Sequence, residues 1–218
     1  MGQIVEENYT NGLKIYYDTD DPKHFYGRIV GGIGWRGKRP GFICVVGEDL
    51  EKDKTLDEYH LWILREYENF DTKKLLEKCL EFRDFSCVKG WYGDADNELE
   101  MDYLEKVNFP IPCEYHLRID WAPHSDDPKA FEFCLDIIER GLNPHKLLHF
   151  GKSKVREYLN EINQENRGSF NVGDYPAITA LGSALEYLKT HAPDVTRGID
   201  YDIDEQRNRD YNPLTHGL

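Results

Sequence analysis

Two carboxylates in "WYGDADN", residues 91–97, stand where chemistry is most plausible: Asp94 and Asp96 follow a short strand-like run and precede a helical one. Carboxylate oxygens are the donors that hard divalent cations such as Mg2+ or Mn2+ prefer. In open α/β sheets the carboxyl ends of strands are where loops diverge and ligands collect. Asp94 and Asp96 are therefore candidate metal ligands. The competing role for this segment is structural, with Asp96 or Asn97 capping the helix that follows and Asp94 solvated. A second chemical candidate is the glycine run "GGIGWRGKRP", residues 31–40, with Lys38 inside it. A phosphate-cradling loop needs backbone N–H groups converging at a helix N-terminus, with Lys followed by Ser or Thr in the Walker form. Here Lys38 is followed by Arg39 and Pro40 and then by a second strand-like run, so the glycines read as part of a hairpin in which they permit close packing.

Histidine and cysteine offer less. His145 and His149 are four apart, but Pro144 and the strand-like "LLHF" argue against the single helix face that a metal pair would need. His124 falls in a loop. The five cysteines, Cys44, Cys79, Cys87, Cys113 and Cys134, lie at least eight residues apart and show neither zinc spacing nor a redox pair. Reduced thiols and a cytoplasmic location are the expectation. The first residues lack a basic segment followed by an apolar one, Glu6 occupies the position where a myristoylation motif has Ser or Thr, and no apolar run is long enough to span a bilayer.

The elements that must position these residues can be read from hydrophobic period. The chain has 218 residues, of which 39% are hydrophobic and 13% aromatic, enough to bury a core without disulfides or structural metal. A formal net charge of −14, from 41 acids against 27 bases, repels polyanions unless a local basic patch opposes it. "YGRIVGGIGW", "GFICVVGEDL" and "EYHLWILREYE" are three consecutive β-rich runs with short polar connections, which predicts an antiparallel meander. The period then changes. "DTKKLLEKCLEF" is helical with Asp71 or Thr72 as its cap, "SCVKGWYGD" is a short strand, and "DNELEMDYLEKV" is helical. "EYHLRIDW" reads as a strand, "DDPKAFEFCLDIIERGL" as a helix, "KLLHF" as a strand, and "KSKVREYLNEI" and "YPAITALGSALEYLKTHAP" as helices. Three meander strands followed by strand–helix units predict an α/β fold of ribonuclease H-like kind: a mixed sheet, three antiparallel strands then parallel ones, with flanking helices. The division expected is an N-terminal arm over residues 1–25, the domain over 26–192 and a polar tail over 193–218.

In order and spacing, these pieces resemble the C-terminal nuclease domain of phage terminase large subunits. "GLKIYYDTDDPKH" is similar to the family's lead-in, and "GIGWRGKRPGF" resembles its first strand and turn, where the family has Gly-Ile-Asp-Trp-Gly. "HLWILREYE" is similar to its third strand, and "WYGDADNELEMDYL" to its strand-end Asp and helix. "DYPAITALGSALEYL" resembles its last helix, which usually begins Asp-Asp-His and carries a further Asp before Ala-Leu. The resemblance implies metal-dependent phosphodiester cleavage, with two Mg2+ or Mn2+ ions about 4 Å apart held by clustered carboxylates. It implies DNA or phage packaging proteins as partners and no membrane.

This chain departs from the family where the metals would bind. Asp94 matches a family ligand and is the catalytic candidate, and Asp174 matches the first acid before the last helix. Gly34 stands where the first-strand Asp belongs, and Thr179 stands where the last-helix Asp belongs, with Tyr175 and Pro176 replacing the preceding Asp and His. The resemblance therefore implies a stand-alone domain impaired or inactive in cleavage, its metal set reduced to Asp94, Asp96 and Asp174. The alternatives are an active divalent-metal endonuclease using Asp94 and Asp96 with Asp120 or Asp174, or a non-catalytic protein- or ligand-binding module.

Overall fold

A computed structural model describes residues 3–8, 14–53, 56, 58–88, 90–93, 119–121, 129–142, 146–162, 170 and 173–190. Eight strands and four helices occupy these residues. They are β1 (Ile4–Asn8), β2 (Lys14–Asp18), β3 (Asp21–Gly34), β4 (Gly41–Lys52), β5 (Tyr59–Asn69), α1 (Thr72–Ser86), β6 (Trp91–Gly93), β7 (Ile119–Trp121), α2 (Ala130–Leu142), β8 (Leu148–His149), α3 (Lys154–Glu161) and α4 (Pro176–Thr190). The fold is α/β, with one mixed sheet and helices on both of its faces.

The meander forms as its alternation predicts: β3, β4 and β5 pair antiparallel, with Gly34 opposite Phe42 and Phe42 opposite Glu68. Beyond β3, β6 pairs parallel to its second half, Gly31 opposite Trp91, and β7 pairs parallel to β6. The order across these five strands is thus β5-β4-β3-β6-β7. The two-residue β8 adds parallel to the outer side of β5. β3 is long enough to hold a second partner on its first half, where β2 pairs antiparallel with Tyr16 opposite Tyr26, and β1 extends that hairpin. The division after residue 25 therefore falls inside β3, and the preceding segment contributes two strands to the same sheet. The 193–218 tail and the helix expected over "DNELEMDYLEKV" lie outside the described residues.

Period-2 alternation sorts the core into two layers. Ile29 and Ile33 of β3 with Ile43 and Val45 of β4 face α1, which buries Leu75, Leu76, Cys79 and Phe82 against them. Each such aliphatic side chain contributes about 1.5–3 kcal/mol when fully buried. The Asp71 carboxylate caps α1 by accepting from the Lys73 N–H at 3.0 Å. On the opposite face Val30, Phe42, Cys44 and Val46 pack under α2 and α4. α4 carries Ala177, Ile178, Ala180, Leu181, Ala184 and Leu185, all buried, so it is apolar around most of its circumference and forms the centre of this layer.

Candidate functional site at the ends of β3 and β6

α4 lies against β3 at backbone contact. A Cβ built on Gly34 would fall on the Pro176 carbonyl oxygen, and one built on Gly32 would fall on that of Ala180. Pro176, Ala180 and Ala184 form an i, i+4, i+8 row over the strand, which the two glycines permit and any side chain would block. The far end of the helix is tied by Arg28, whose guanidinium donates to the Leu188 carbonyl at 2.9 Å and forms a buried, two-bonded pair with Glu48 at 2.7 Å for each bond. The helix is therefore fixed at both ends and runs antiparallel to β3. Gly34 sits under its first turn.

Thr179 is buried in that same first turn. It shares an i, i+4, i+8 row with Ser183 and Tyr187, and the Tyr187 ring stacks on Tyr92 of β6 at 3.9 Å between centroids. This row follows β6, so Gly34 and Thr179 lie on neighbouring sides of one helix turn, near the carboxyl ends of β3 and β6. The glycine run meets no phosphate geometry. Gly31, Gly32 and Gly34 belong to β3, their backbone taken up in pairing with β4 and β6, and the chain turns over residues 35–40 into β4.

Around this end the described acids are engaged by protein groups. Lys38 Nζ lies 2.7 Å from Asp174 Oδ1. Arg39 pairs with Glu161, and its guanidinium lies 4.4 Å from the Tyr175 ring centroid and 4.7 Å from that of Tyr158. Burial works against the Arg39 charge, but Glu161 and Tyr175 outweigh it and the guanidinium is held more firmly protonated than usual. Tyr158 donates its hydroxyl to Glu68 at 2.8 Å. Burial, followed by that bond, raises the Tyr158 hydroxyl above its ordinary value, so it remains a phenol that donates. Glu66, two residues earlier, accepts from the Ser153 hydroxyl and the Lys154 N–H and so caps α3.

Of the residues expected to hold metal, Asp94 and Asp96 lie outside the described residues, as do His124 and His145. Asp174 is beside the start of α4 and paired to Lys38. Asp120 lies on β7, in register with Tyr92. Among the described residues no group of three or more His, Cys, Asp or Glu side chains is arranged to hold a metal ion, and Cys44 and Cys79 are buried free thiols. Burial raises the thiols of Cys44 and Cys79, the opposite of what a nucleophile requires. No described helix is long and apolar enough to cross a membrane.

One constellation has no signal in the sequence. His24 of β3, Trp62 of β5 and His149 of β8 stack in succession, with centroid separations of 4.0 and 4.3 Å, and His60 Nδ1 lies 2.8 Å from His149 Nε2. These side chains come from three strands and are up to 125 positions apart, so only strand register brings them together. Comparison with protein families, with curated proteins and with solved structures finds no match.

Proposed function

We propose that this chain is a ribonuclease H-like domain of terminase-nuclease type that does not cleave DNA and serves as a binding or assembly module, with DNA or phage packaging proteins as its partners. The strand order β5-β4-β3-β6-β7, with β6 and β7 parallel to β3, supports the ribonuclease H-like reading. The observation that carries the loss of cleavage is the contact of the Pro176 carbonyl with Gly34. A metal-binding carboxylate at this position needs space at the end of β3, and the first turn of α4 occupies that space. Lys38 and Arg39 strengthen the reading, because they supply to Asp174 and Glu161 the positive charge that a cation would otherwise bring. Thr179 offers a neutral hydroxyl, a weak ligand for Mg2+ or Mn2+.

The test is cleavage of supercoiled plasmid by the full chain in Mg2+ or Mn2+. The expected result is intact plasmid across the titration. Metal-dependent nicking that disappears in Asp94→Ala would overturn the proposal in favour of an active nuclease with rearranged carboxylates.

A further inference from the structure

A second region of the molecule is built quite differently. At the β8 edge of the sheet a pocket of about 500 Å3 opens between β5, β8 and α3. In register Trp62 is level with Gly47 and hence with Ile29, five residues before Gly34 on β3, and the pocket lies two strands across from it. At about 3.3 Å per residue the two regions are separated by roughly 17 Å along the strand direction alone.

We propose that this pocket binds a planar aromatic anion of mononucleotide size, a site independent of the nuclease-like reading. Its volume falls in the range of small-molecule pockets, about 300–1,000 Å3. One wall is aromatic: His149, stacked on Trp62 with their planes 17° apart, and Phe150 line it, while His24 covers the other face of Trp62. Three leucines complete the apolar part, and Asn160 offers an amide that can both donate and accept. The charged lining is Lys146 and Arg156, and none of the lining residues is an acid.

Acids outnumber bases in this chain, 41 to 27, and Lys154 of α3 pairs with one of the carboxylates, Glu157. Among the described residues Lys146 and Arg156 pair with none, and the Arg156 guanidinium instead lies 5.4 Å from the Phe150 ring centroid. Two cations that pair with no described carboxylate, beside an apolar wall, favour an anion, and the Arg fork suits the paired oxygens of a phosphate or carboxylate. Lys146 is also one of two described non-glycine residues with positive φ, at 53°. A β-carbon is disfavoured there, and such strain concentrates at ligand sites. The aromatic wall accounts for a ring and the cations for its charge.

The test is calorimetric titration of the full chain with AMP, adenosine, inorganic phosphate and 1-naphthoate. AMP or 1-naphthoate is expected to bind about tenfold or more tightly than adenosine or phosphate. Tighter AMP assigns the anion to a phosphate, and tighter 1-naphthoate assigns it to a carboxylate. The double substitution Lys146→Ala, Arg156→Ala and, separately, Trp62→Leu should each weaken binding about tenfold or more, with an unchanged circular dichroism spectrum showing that the fold persists. If neither aromatic anion gives a saturable heat at millimolar concentration, the proposal is overturned. It is also overturned if adenosine or phosphate binds as tightly as the better of the two aromatic anions, or if the folded double variant binds undiminished.

Discussion

The carboxyl ends of β3 and β6 and the β8 edge are built from opposite choices. At the first, glycines remove side chains so that a helix backbone fills the space, and every described acid there has a protein partner. At the second, large aromatic side chains hold space open, and two cations face it without an acid. Polar groups satisfied by one another contribute rigidity, while groups left without a protein partner can take a ligand. Position in an α/β fold does not by itself tell filled space from open space: at Gly34 the first turn of α4 fills the end of β3, and an edge strand of two residues forms one border of the open pocket.

The sharpest way to break this contrast is to reopen the closed end. Gly34→Ala forces a Cβ into the Pro176 carbonyl, so urea unfolding should show a loss of about 3 kcal/mol or more. Gly151→Ala, where a Cβ meets nothing within 4 Å, should stay within about 0.5 kcal/mol of the parent. Equal effects would mean that α4 does not rest on β3 as described. For the same reason Gly34→Asp with Thr179→Asp would not by itself place two carboxylates for a metal ion, because the helix must move before a carboxylate on β3 has room.

A smaller effect is expected from Arg39→Ala, which removes the guanidinium lying against Tyr158 and Tyr175. Each such contact contributes about 0.5–1 kcal/mol when partly exposed, so the same unfolding measurement should fall by roughly 1–2 kcal/mol. Arg39→Lys should recover only part of it, since an ammonium lacks the planar stack.

The smallest change concerns the open edge. Burial first, then the nearby His60 and His24, lowers the His149 pKa below its ordinary value, with Asp49 opposing. The unfolded chain therefore binds this proton more readily than the folded one. His149 has no destabilising effect above about pH 6.5, and stability declines as pH falls from there towards the lowered folded value. Chemical denaturation between pH 8 and pH 5 should show this decline in the parent and a shallower one in His149→Phe. An identical pH dependence would show that His149 is not held neutral by its neighbours.

Much of the scaffold was legible in the residues. The alternation in "YGRIVGGIGW", "GFICVVGEDL" and "HLWILREYE" yields β3, β4 and β5, because a two-residue period leaves one face apolar whatever the partner. The cap at Asp71 and the spacing of Leu75, Leu76, Cys79 and Phe82 yield α1 for the same local reason. The part played by the end of the expected arm was not legible: residues 1–25 read as separate from the domain, yet β3 begins at Asp21, because pairing with β2 and β4 outweighs weak local propensity. The meeting of His24, His60 and His149 was not legible either, since no local pattern reports which strands adjoin.

The sequence by itself determined the class of fold, the hairpin nature of "GGIGWRGKRP" and the acidic balance, all of which follow from local period, turn chemistry and composition. Only the tertiary structure decided what Gly34 touches: a glycine in a strand permits a close approach, and the Pro176 carbonyl resting on it is that approach. Only the tertiary structure, too, assembled the aromatic and cationic pocket at β8, because cross-strand adjacency is a property of register and packing rather than of sequence spacing.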